Sequence, residues 1–247
     1  DIGSRSVKLV VLRDGEMVHS AIADTGYDPR GVARGLQDQA EWDRVLATGY
    51  GRKIAQLHFK VRTVTEIKAH ARGVWQSCPD CRTVLDIGGQ DTKVIALASG
   101  GKVLKFEMND RCAAGTGKFL EIMASNLGFS LEDFGAQALQ ADEMQQISSM
   151  CTVFAESEVT SAIASGADRR EIAKGLHMSV IRRAVAMLKR VSLSPKIAFT
   201  GGAAQNVCLY HLLQDELDRE INVPNHPDMT GALGAALLAE GVDSHLG

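Results

Sequence analysis

The sequence has no excess of charge and no long apolar run, and each absence excludes a class of function. Its 27 basic and 30 acidic residues leave a formal net charge of -3 over 247 residues. Such a balance gives no basic surface for nucleic acid, so no nucleic-acid partner is expected. No apolar stretch approaches the ~20 residues that span a bilayer, and no signal peptide is visible. We therefore expect a cytoplasmic protein that does not act in a membrane.

Cysteines are few and odd in number, which bears on the compartment. Five cysteines without secretory features favour a reducing cytoplasm in which they are thiols or metal ligands. Strand and helix patterns alternate with no long linker, and 45% hydrophobic content is enough for a full core. A domain boundary is expected near residues 73–80. Asp1 stands within a strand pattern, so we expect a few residues upstream of it.

One stretch, MNDRCAAGTGKF at residues 108–119, looks like a phosphate-binding loop but lacks its chemistry. A Walker A loop needs Gly, four residues, Gly, Lys and then Ser or Thr, because backbone N–H groups surround phosphates and the hydroxyl holds Mg²⁺. Counting back from Gly117 and Lys118 puts Cys112 at the first glycine and Phe119 at the hydroxyl. A Walker A loop is therefore excluded.

A repeat is present instead: DIGSRSVKLV at residues 1–10 and DIGGQDTKVI at residues 86–95. Each copy predicts a β-hairpin with a tight glycine turn, whose second strand covers residues 7–12 or 92–97. A glycine turn lets backbone N–H groups approach an anion, and an aspartate at the strand end can hold hydrated Mg²⁺. Two facing hairpins would clamp the phosphates of a nucleotide. The alternative is two unrelated turns, which the repetition disfavours.

Two further glycine clusters follow. IAFTGGAAQN at residues 197–206 predicts a strand that ends at Gly201 and Gly202 and opens a helix over residues 206–217. The start of such a helix favours a phosphate-bearing or polar ligand. TGALGAALLAE at residues 230–240 predicts a helix of small residues that packs close to a neighbouring backbone. Alone, each is weak evidence, because Gly-Gly after a strand is often merely a turn.

The order of hairpin, hairpin and Gly-Gly turn resembles the phosphate-1, phosphate-2 and adenosine motifs of the actin, sugar-kinase and heat-shock chaperone ATPase superfamily. Within it, DIGGQDTKVI, MNDRCAAGTGKFLEIMA, SSMCTVFAESEV and TGALGAALLA resemble the BadF/BadG/BcrA/BcrD ATPase family over nearly the whole chain. The resemblance implies an α/β, actin-like (ribonuclease H-like) fold with two similar domains around a nucleotide cleft. The expected domains are residues 1–75, completed by the helix at 230–240, and residues 76–229.

The resemblance also implies a function, in anaerobic metabolism. Family members couple ATP hydrolysis to the transfer of one electron from a [4Fe–4S] cluster to a CoA-thioester dehydratase or a benzoyl-CoA-type reductase. They are homodimers that hold one cluster at the subunit interface with two cysteines from each chain, which match Cys112 and Cys151 here. Ferredoxin or flavodoxin is the expected electron donor. Which acceptor is used, and whether the dimer is homomeric or built from similar subunits, is left open.

Matching the motifs assigns the remaining roles. Asp1 would organise water bound to Mg²⁺, and Gln90 or Asp91 would orient the attacking water, because phosphoryl transfer depends on positioning. For Lys8 and Asn206 the alternatives are an exposed strand lysine and a helix N-cap. The residues expected to contact ATP or ADP are Gly3, Ser4, Lys8, Gly88, Gly89, Gly201, Gly202, Asn206 and Gly231.

Other ligand sets and functions compete with this interpretation. Cys78 and Cys81 form a C-x-x-C that could join Cys112 and Cys151 in a four-cysteine site within one chain, although a surface turn without metal is favoured. Cys208 is expected in the core.

A sugar or acid kinase of the same superfamily would need a substrate-binding aspartate between the domains and no cluster. A nucleotide-gated binding protein without a redox role is the third candidate.

Overall fold

Strands and helices alternate in the computed structural model, which describes residues 1–147 and 152–241. The strands are β1 (Ser6–Arg13), β2 (Glu16–Asp24), β3 (Leu46–Ala47), β4 (Arg62–Thr63), β5 (Thr83–Ile87), β6 (Thr92–Leu97), β7 (Val103–Asn109), β8 (Lys196–Thr200) and β9 (Glu220–Asn222). The helices are α1 (Pro29–Gln37), α2 (Arg52–Phe59), α3 (Glu66–Ser77), α4 (Gly117–Asn126), α5 (Leu131–Leu139), α6 (Thr152–Ala164), α7 (Arg169–Val191), α8 (Val207–Leu217) and α9 (Thr230–Glu240).

The larger sheet has five strands in the order β7-β6-β5-β8-β9. Its central strand β5 pairs antiparallel with β6 and parallel with β8, and every residue of β5 is buried. Successive side chains of a strand point to opposite faces. Leu85 and Ile87 accordingly join the large core built with α4, α5, α7 and α8, while Val84 joins a smaller core under α3. The end of β5 that leads into the second Asp-Ile-Gly motif is therefore held rigidly on both faces.

The N-terminal part has the same kinds of strand pairing, but in two separate sheets instead of one continuous sheet. β1 pairs antiparallel with β2, and β3 pairs parallel with β4, in two separate two-stranded sheets. A cavity of about 880 Å³ lies between β1 and β3, and alanines of α9 line it as well. The cavity lies between an antiparallel pair and a parallel pair, which is the position that β5 occupies between β6 and β8. The internal repeat seen in the sequence thus extends to the strand pairing.

The boundaries of several elements agree with the sequence patterns. The expected second strands at residues 7–12 and 92–97 correspond to β1 and β6, and the expected helix at residues 230–240 is α9. The expected domain boundary after residue 75 falls in the last turn of α3, and the division into domains stays a prediction. Within the described residues, no helix is both long and apolar enough to cross a bilayer.

The Cys78–Cys81 segment is a turn, as expected, and Pro79 and Asp80 at its tip are exposed, but its two cysteines are not at the surface. Cys78 is 5% exposed and Cys81 is fully buried, and both pack in the small core under α3. They are joined to each other by a disulfide, so the expectation that all cysteines are thiols or ligands is wrong for this pair. The cysteines are buried because the segment links α3 directly to the central strand β5 beneath that helix. The bonded sulfurs cannot serve as thiolates, and a site combining them with Cys112 is not formed. Cys208 lies in the core, as expected.

Helices α3 and α9 touch backbone to backbone at glycines. A Cβ atom on Gly234 would overlap the carbonyl oxygen of Ala69, and one on Gly73 would overlap the carbonyl oxygen of Thr230. This confirms the close packing expected from the small residues of α9. The contact matters for function because it brings the first turns of both helices to the same cleft.

We expect Gly234→Ala to destabilise the protein by about 1–3 kcal/mol, since the added methyl must force the two helices apart. In an exposed helix interior the same change normally stabilises by up to ~1 kcal/mol. Gly35→Ala in α1 is the matched control, because a Cβ there meets no atom within 4 Å. Urea unfolding of both variants measures the difference. A Gly234→Ala variant as stable as the wild type would contradict this packing.

Candidate active site

The two Asp-Ile-Gly motifs form equivalent turns that meet tip to tip. The first glycine turn, residues 3–6, is closed by a hydrogen bond from Gly3 N to Ser6 O at 3.1 Å. The second glycine turn, residues 88–91, is closed in the same way from Gly88 N to Asp91 O at 2.9 Å. A Cβ atom on Gly89 would lie 2.8 Å from the Cβ of Arg5, so the tips are in contact. The chain therefore brings the two predicted phosphate-binding turns face to face.

A buried lysine beneath these turns holds three carboxylates together. The Nζ atom of Lys93 lies 2.7 Å from Asp91 Oδ2, 3.2 Å from Glu66 Oε2 and 3.3 Å from Asp86 Oδ2, and its side chain is 3% exposed. Arg52 Nη1 also lies 3.6 Å from Glu66 Oε1. Two cations do not balance three carboxylates, so the cluster favours a further cation. Hydrated Mg²⁺ suits such an oxygen-rich site.

Lys93 was not among the expected site residues, although the repeat pointed to it. Lys93 follows Asp86 by 7 residues, the same separation as Lys8 from Asp1. Glu66 could not have been found in this way, since it comes from the first turn of α3 and reaches the site only through tertiary packing.

The neighbours of Asp86 keep it ionised despite complete burial. Burial would raise its pKa, but His70, Lys93 and the Thr200 hydroxyl, which donates to Oδ1 at 2.9 Å, together lower that pKa to about 2. Burial lowers the pKa of His70 below its ordinary value, so the imidazole is neutral at pH 7. Lys93 and Thr200 are therefore the groups that stabilise the Asp86 carboxylate at that pH.

The pKa values of Asp91 and Lys93 are both raised in the cluster. Burial raises the pKa of Asp91, although Lys93 opposes the shift. A carboxylate with a raised pKa is a better hydrogen-bond acceptor for a water molecule. Burial alone would lower the pKa of Lys93, but Asp86, Asp91 and Glu66 outweigh it and raise that pKa. Gln90, the other residue expected to orient water, is exposed at the tip of the second glycine turn.

Lys8 and Asp1 form a second, weaker pair on the opposite side of the cleft. Lys8 Nζ lies 3.7 Å from Asp1 Oδ2, and the lysine side chain is only 14% exposed. Lys8 is thus not the exposed strand lysine of the alternative interpretation. Burial lowers its pKa, which means that its charge is incompletely compensated. An anion such as a phosphate would restore that compensation.

Two buried polar atoms near this pair have no partner. Three side-chain atoms among the described residues are buried without a hydrogen bond, namely His19 Nε2, Thr48 Oγ1 and His70 Nδ1, and the last two are those near this pair. His70 Nδ1 lies 3.3 Å from Asp86 Oδ1, but not in hydrogen-bonding geometry. A Cβ on Gly231 would lie 3.0 Å from His70 Nε2 and 3.3 Å from Asp1 Oδ2. Gly231 therefore lies beside the Asp1 carboxylate and the His70 ring. The two unpartnered atoms fit a site that takes a polar ligand or water.

The Gly-Gly turn after β8 packs against the end of β5, where a Cβ on Gly201 would overlap the carbonyl oxygen of Ile87. Gly201 has a φ of +86°, and its N–H donates to Pro227 O at 2.9 Å, while nothing lies within 4 Å of a Cβ on Gly202. The side chain of Asn206 accepts from Leu209 N at 3.1 Å. Asn206 is thus the helix N-cap of the alternative interpretation, and its contact with adenosine stays a prediction.

The amide nitrogen of Asn206 is also engaged inside the protein. Its Nδ2 atom lies 3.0 Å from His177 Nε2, and His177 Nδ1 lies 2.7 Å from Ala173 O. The carbonyl can only accept, so Nδ1 is the protonated nitrogen and Nε2 accepts from Asn206. Burial lowers the pKa of His177 to about 4, which keeps the ring neutral at pH 7.

The cysteine motif is bonded directly to the second glycine turn. Gly117 N donates to Gly88 O at 2.9 Å and Lys118 N donates to Gly89 O at 2.8 Å, so the first turn of α4 is attached to the turn. Cys112 precedes α4 in the same loop and is a free, partly buried cysteine. Cys151, the second expected ligand, lies outside the described residues, and α6 begins at Thr152. A free thiol that is only partly buried is available as a ligand, so Cys112 fits an iron–sulfur site.

With this geometry in view, comparison with known proteins decides the family. A model of the BadF/BadG/BcrA/BcrD ATPase family matches residues 1–239. The chain belongs to this family. The activator of lactoyl-CoA dehydratase from Anaerotignum propionicum is 40% identical over 248 residues, which are 97% of this chain and 95% of that protein. One of the subunits of benzoyl-CoA reductase from Thauera aromatica is 32% identical over 258 residues, covering 96% of this chain and 90% of that protein.

Solved structures of this ATPase family agree with the fold. Component A of the (R)-2-hydroxyglutaryl-CoA dehydratase from Acidaminococcus fermentans matches with a TM-score of 0.93 and 37% identity, over 99% of this chain and 97% of that one. The activator of the 2-hydroxyisocaproyl-CoA dehydratase from Clostridium difficile, with bound ADPNP, matches with a TM-score of 0.89 and 39% identity, over 98% and 94%. The expected family and the actin-like α/β fold are confirmed.

We expect Lys93→Met to destabilise the protein at pH 7 by about 3 kcal/mol or more, because it leaves three carboxylates without their buried cation. The deficit should shrink as the pH falls from about 4 towards 2. The folded-state pKa of Asp86, about 2, lies below its ordinary value, so the stability this charge provides is lost on protonation. Lys196→Met removes an exposed ion pair with Glu220 and is the control, since solvent screening leaves such a pair with little effect on stability. Urea unfolding at several pH values would contradict the account if both variants behaved alike.

Proposed function

We propose that this chain is an ATP-dependent activator of a CoA-thioester dehydratase, which couples ATP hydrolysis to the delivery of one electron from a [4Fe–4S] cluster. The observation that supports it best is the hydrogen bonding of the second glycine turn to the start of α4 in the cysteine motif. The turn that would hold phosphate and the segment that would hold iron are thus one connected unit. Two of the relatives named above are activators of CoA-thioester dehydratases, and a third is a component of such a dehydratase.

The residues of the cleft divide the work of phosphoryl transfer. Gly3 and Ser4 would offer N–H and hydroxyl donors to phosphate, and Lys8 would supply a charge that is otherwise uncompensated. Gly88 and Gly89 would approach from the other side. Asp91, whose pKa burial raises, would accept a hydrogen bond from the attacking water and orient it.

Among the described residues, no group of His, Cys, Asp and Glu side chains is arranged to ligate a metal ion directly, so the carboxylates of the cleft fit a hydrated Mg²⁺. Asp1, Asp86 and Asp91 supply the carboxylate oxygens that would hold its hydration shell, with Lys93 limiting their mutual repulsion. When bound, Mg²⁺ would supply positive charge that offsets the negative charge developing on the phosphates in the transition state.

For the cluster, Cys112 and Cys151 from each of two copies would provide the four thiolates that a [4Fe–4S] centre takes. When bound, the cluster supplies a one-electron carrier whose potential depends on solvent exposure and hydrogen bonds to sulfur. The dimer, of this chain with itself or with a similar subunit, follows from that ligand count. A ferredoxin or flavodoxin would reload the carrier.

Nucleotide hydrolysis would supply the free energy needed to lower the reduction potential of the cluster. Lowering a one-electron couple by ~300 mV costs about 7 kcal/mol, which a few new surface contacts cannot supply but nucleotide hydrolysis can. A nucleotide that changes the relative position of the two glycine turns would change the surroundings of α4 and hence of the cluster.

A benzoyl-CoA-type reductase as the electron acceptor, and a kinase activity, are both less well supported. The activator of lactoyl-CoA dehydratase is 40% identical to this chain and the benzoyl-CoA reductase polypeptide 32%, which favours a dehydratase as acceptor. A sugar or acid kinase would share the fold. The relatives reported above are named as activators of dehydratases, as a component of a dehydratase or as part of a reductase, however, and none of these four is named as a kinase.

Iron analysis tests the cluster directly. Protein purified without oxygen should contain about two irons and two acid-labile sulfides per chain, since one [4Fe–4S] centre is shared by two chains. Cys112→Ser and Cys151→Ser should each abolish both, while Cys208→Ala, in the core, should keep them.

Two other outcomes would contradict the proposal. About four irons per chain, lost in a Cys78→Ser/Cys81→Ser variant, would place a cluster within one chain. Wild-type protein without iron that nonetheless binds ATP would favour the kinase or the nucleotide-gated binding protein.

A further inference from the structure

We propose that Arg5 is a positioning residue that relays the position of the first glycine turn to helix α4 through its ion pair with Glu121. The inference rests on the proposed nucleotide function, because it names the contact by which a nucleotide in the cleft would act on the cysteine segment.

The contact itself crosses the cleft. Arg5 Nη1 lies 3.0 Å from both carboxylate oxygens of Glu121, and the two residues are 116 positions apart in the chain. Arg5 belongs to the first glycine turn, whereas Glu121 lies on α4, whose start is attached to the second. The side chains are 55% and 31% exposed, so the pair contributes little to stability. It can nevertheless fix a geometry, because one donor nitrogen lies equally close to both acceptor oxygens.

The backbone of Arg5 is fixed to its own turn. Its carbonyl accepts a hydrogen bond from Thr25 N at 2.9 Å, and the Thr25 hydroxyl donates to Gly3 O at 2.8 Å. The Cβ of Arg5 rests against Gly89, where any side chain would force the tips apart. The guanidinium therefore moves with the first glycine turn.

Helix α4 has a second, independent anchor. Its first turn is bonded to the carbonyls of Gly88 and Gly89, while Glu121, one turn further along, is held by Arg5. A helix is stiff over this distance. A ligand that changes the separation of the two glycine turns must therefore either tilt α4 or break one anchor. A tilt would displace the loop that contains Cys112, just before the helix.

Lys118 provides a matched control for this pair. Its Nζ atom lies 3.3 Å from Glu121 Oε1, but both residues belong to α4, so this contact does not cross the cleft. Removing it changes the charge around Glu121 by the same amount as removing Arg5. Only the loss of Arg5 should disconnect the first glycine turn from the helix.

The experiment compares the full chain with Arg5→Gln, Glu121→Gln, Lys118→Gln and the exchanged Arg5→Glu/Glu121→Arg variant. Calorimetry with ADPNP and Mg²⁺ gives the nucleotide affinity, and hydrogen exchange gives the response of residues 112–126 to that nucleotide. In wild type and Lys118→Gln, nucleotide should change exchange in α4. In Arg5→Gln and Glu121→Gln the change should fall by about fivefold, with affinity kept within about threefold. The exchanged variant should recover it.

Three results would overturn the relay. An unchanged α4 response in both Arg5→Gln and Glu121→Gln would show that the pair transmits nothing. A loss of affinity of about tenfold in Arg5→Gln alone, with a normal α4 response in Glu121→Gln, would place Arg5 on the phosphate instead. If wild-type protein did not bind ADPNP at all, the proposed function would fail and the relay with it. Normal binding with an unchanged response refutes only the relay.

Discussion

The structure of the cleft depends on one buried lysine. Lys93 has three carboxylates within 3.3 Å, two from the second Asp-Ile-Gly motif and its strand and one from helix α3. Without that ammonium, burying these charges together would be prohibitively costly, since each must give up its hydration. With it, and with Arg52 3.6 Å from Glu66, two cations face three carboxylates, and the cluster is still one positive charge short of balance. The chain thus forms a site that is stable enough to fold yet favours a cation, and it places an incompletely compensated Lys8 on the facing side for an anion.

Helix packing makes this charge arrangement possible. Glu66 and His70 both come from α3, and α3 reaches the cleft only because it packs backbone to backbone on the small residues of α9. The same packing brings Gly231 beside Asp1. From the second glycine turn, the backbone hydrogen bonds to α4 connect the charged cleft with the cysteine loop. A few rigid contacts therefore connect the site proposed for phosphate with the loop that contains Cys112.

Local patterns predicted the parts of the site that depend on local geometry. Tight glycine turns and their strands are determined by neighbouring residues, so the repeat located both turns as well as β1 and β6. Lys93 was within reach of the same argument, because it repeats the spacing of Lys8. The contributions of Glu66 and His70 were not, since nothing near them in the sequence indicates that α3 faces the cleft. The burial of Cys78 and Cys81 was missed for the same reason, because a C-x-x-C pattern contains no information about the helix that covers it.

The central claim is that nucleotide hydrolysis drives electron delivery. Its most direct measurement is the rate of electron transfer from the reduced, iron-loaded protein to purified 2-hydroxyacyl-CoA dehydratases, with ATP, with ADP and without nucleotide. The account predicts rapid transfer with ATP alone, accompanied by hydrolysis. Equal rates of electron transfer in the three conditions, or no transfer in any of them, would contradict the account.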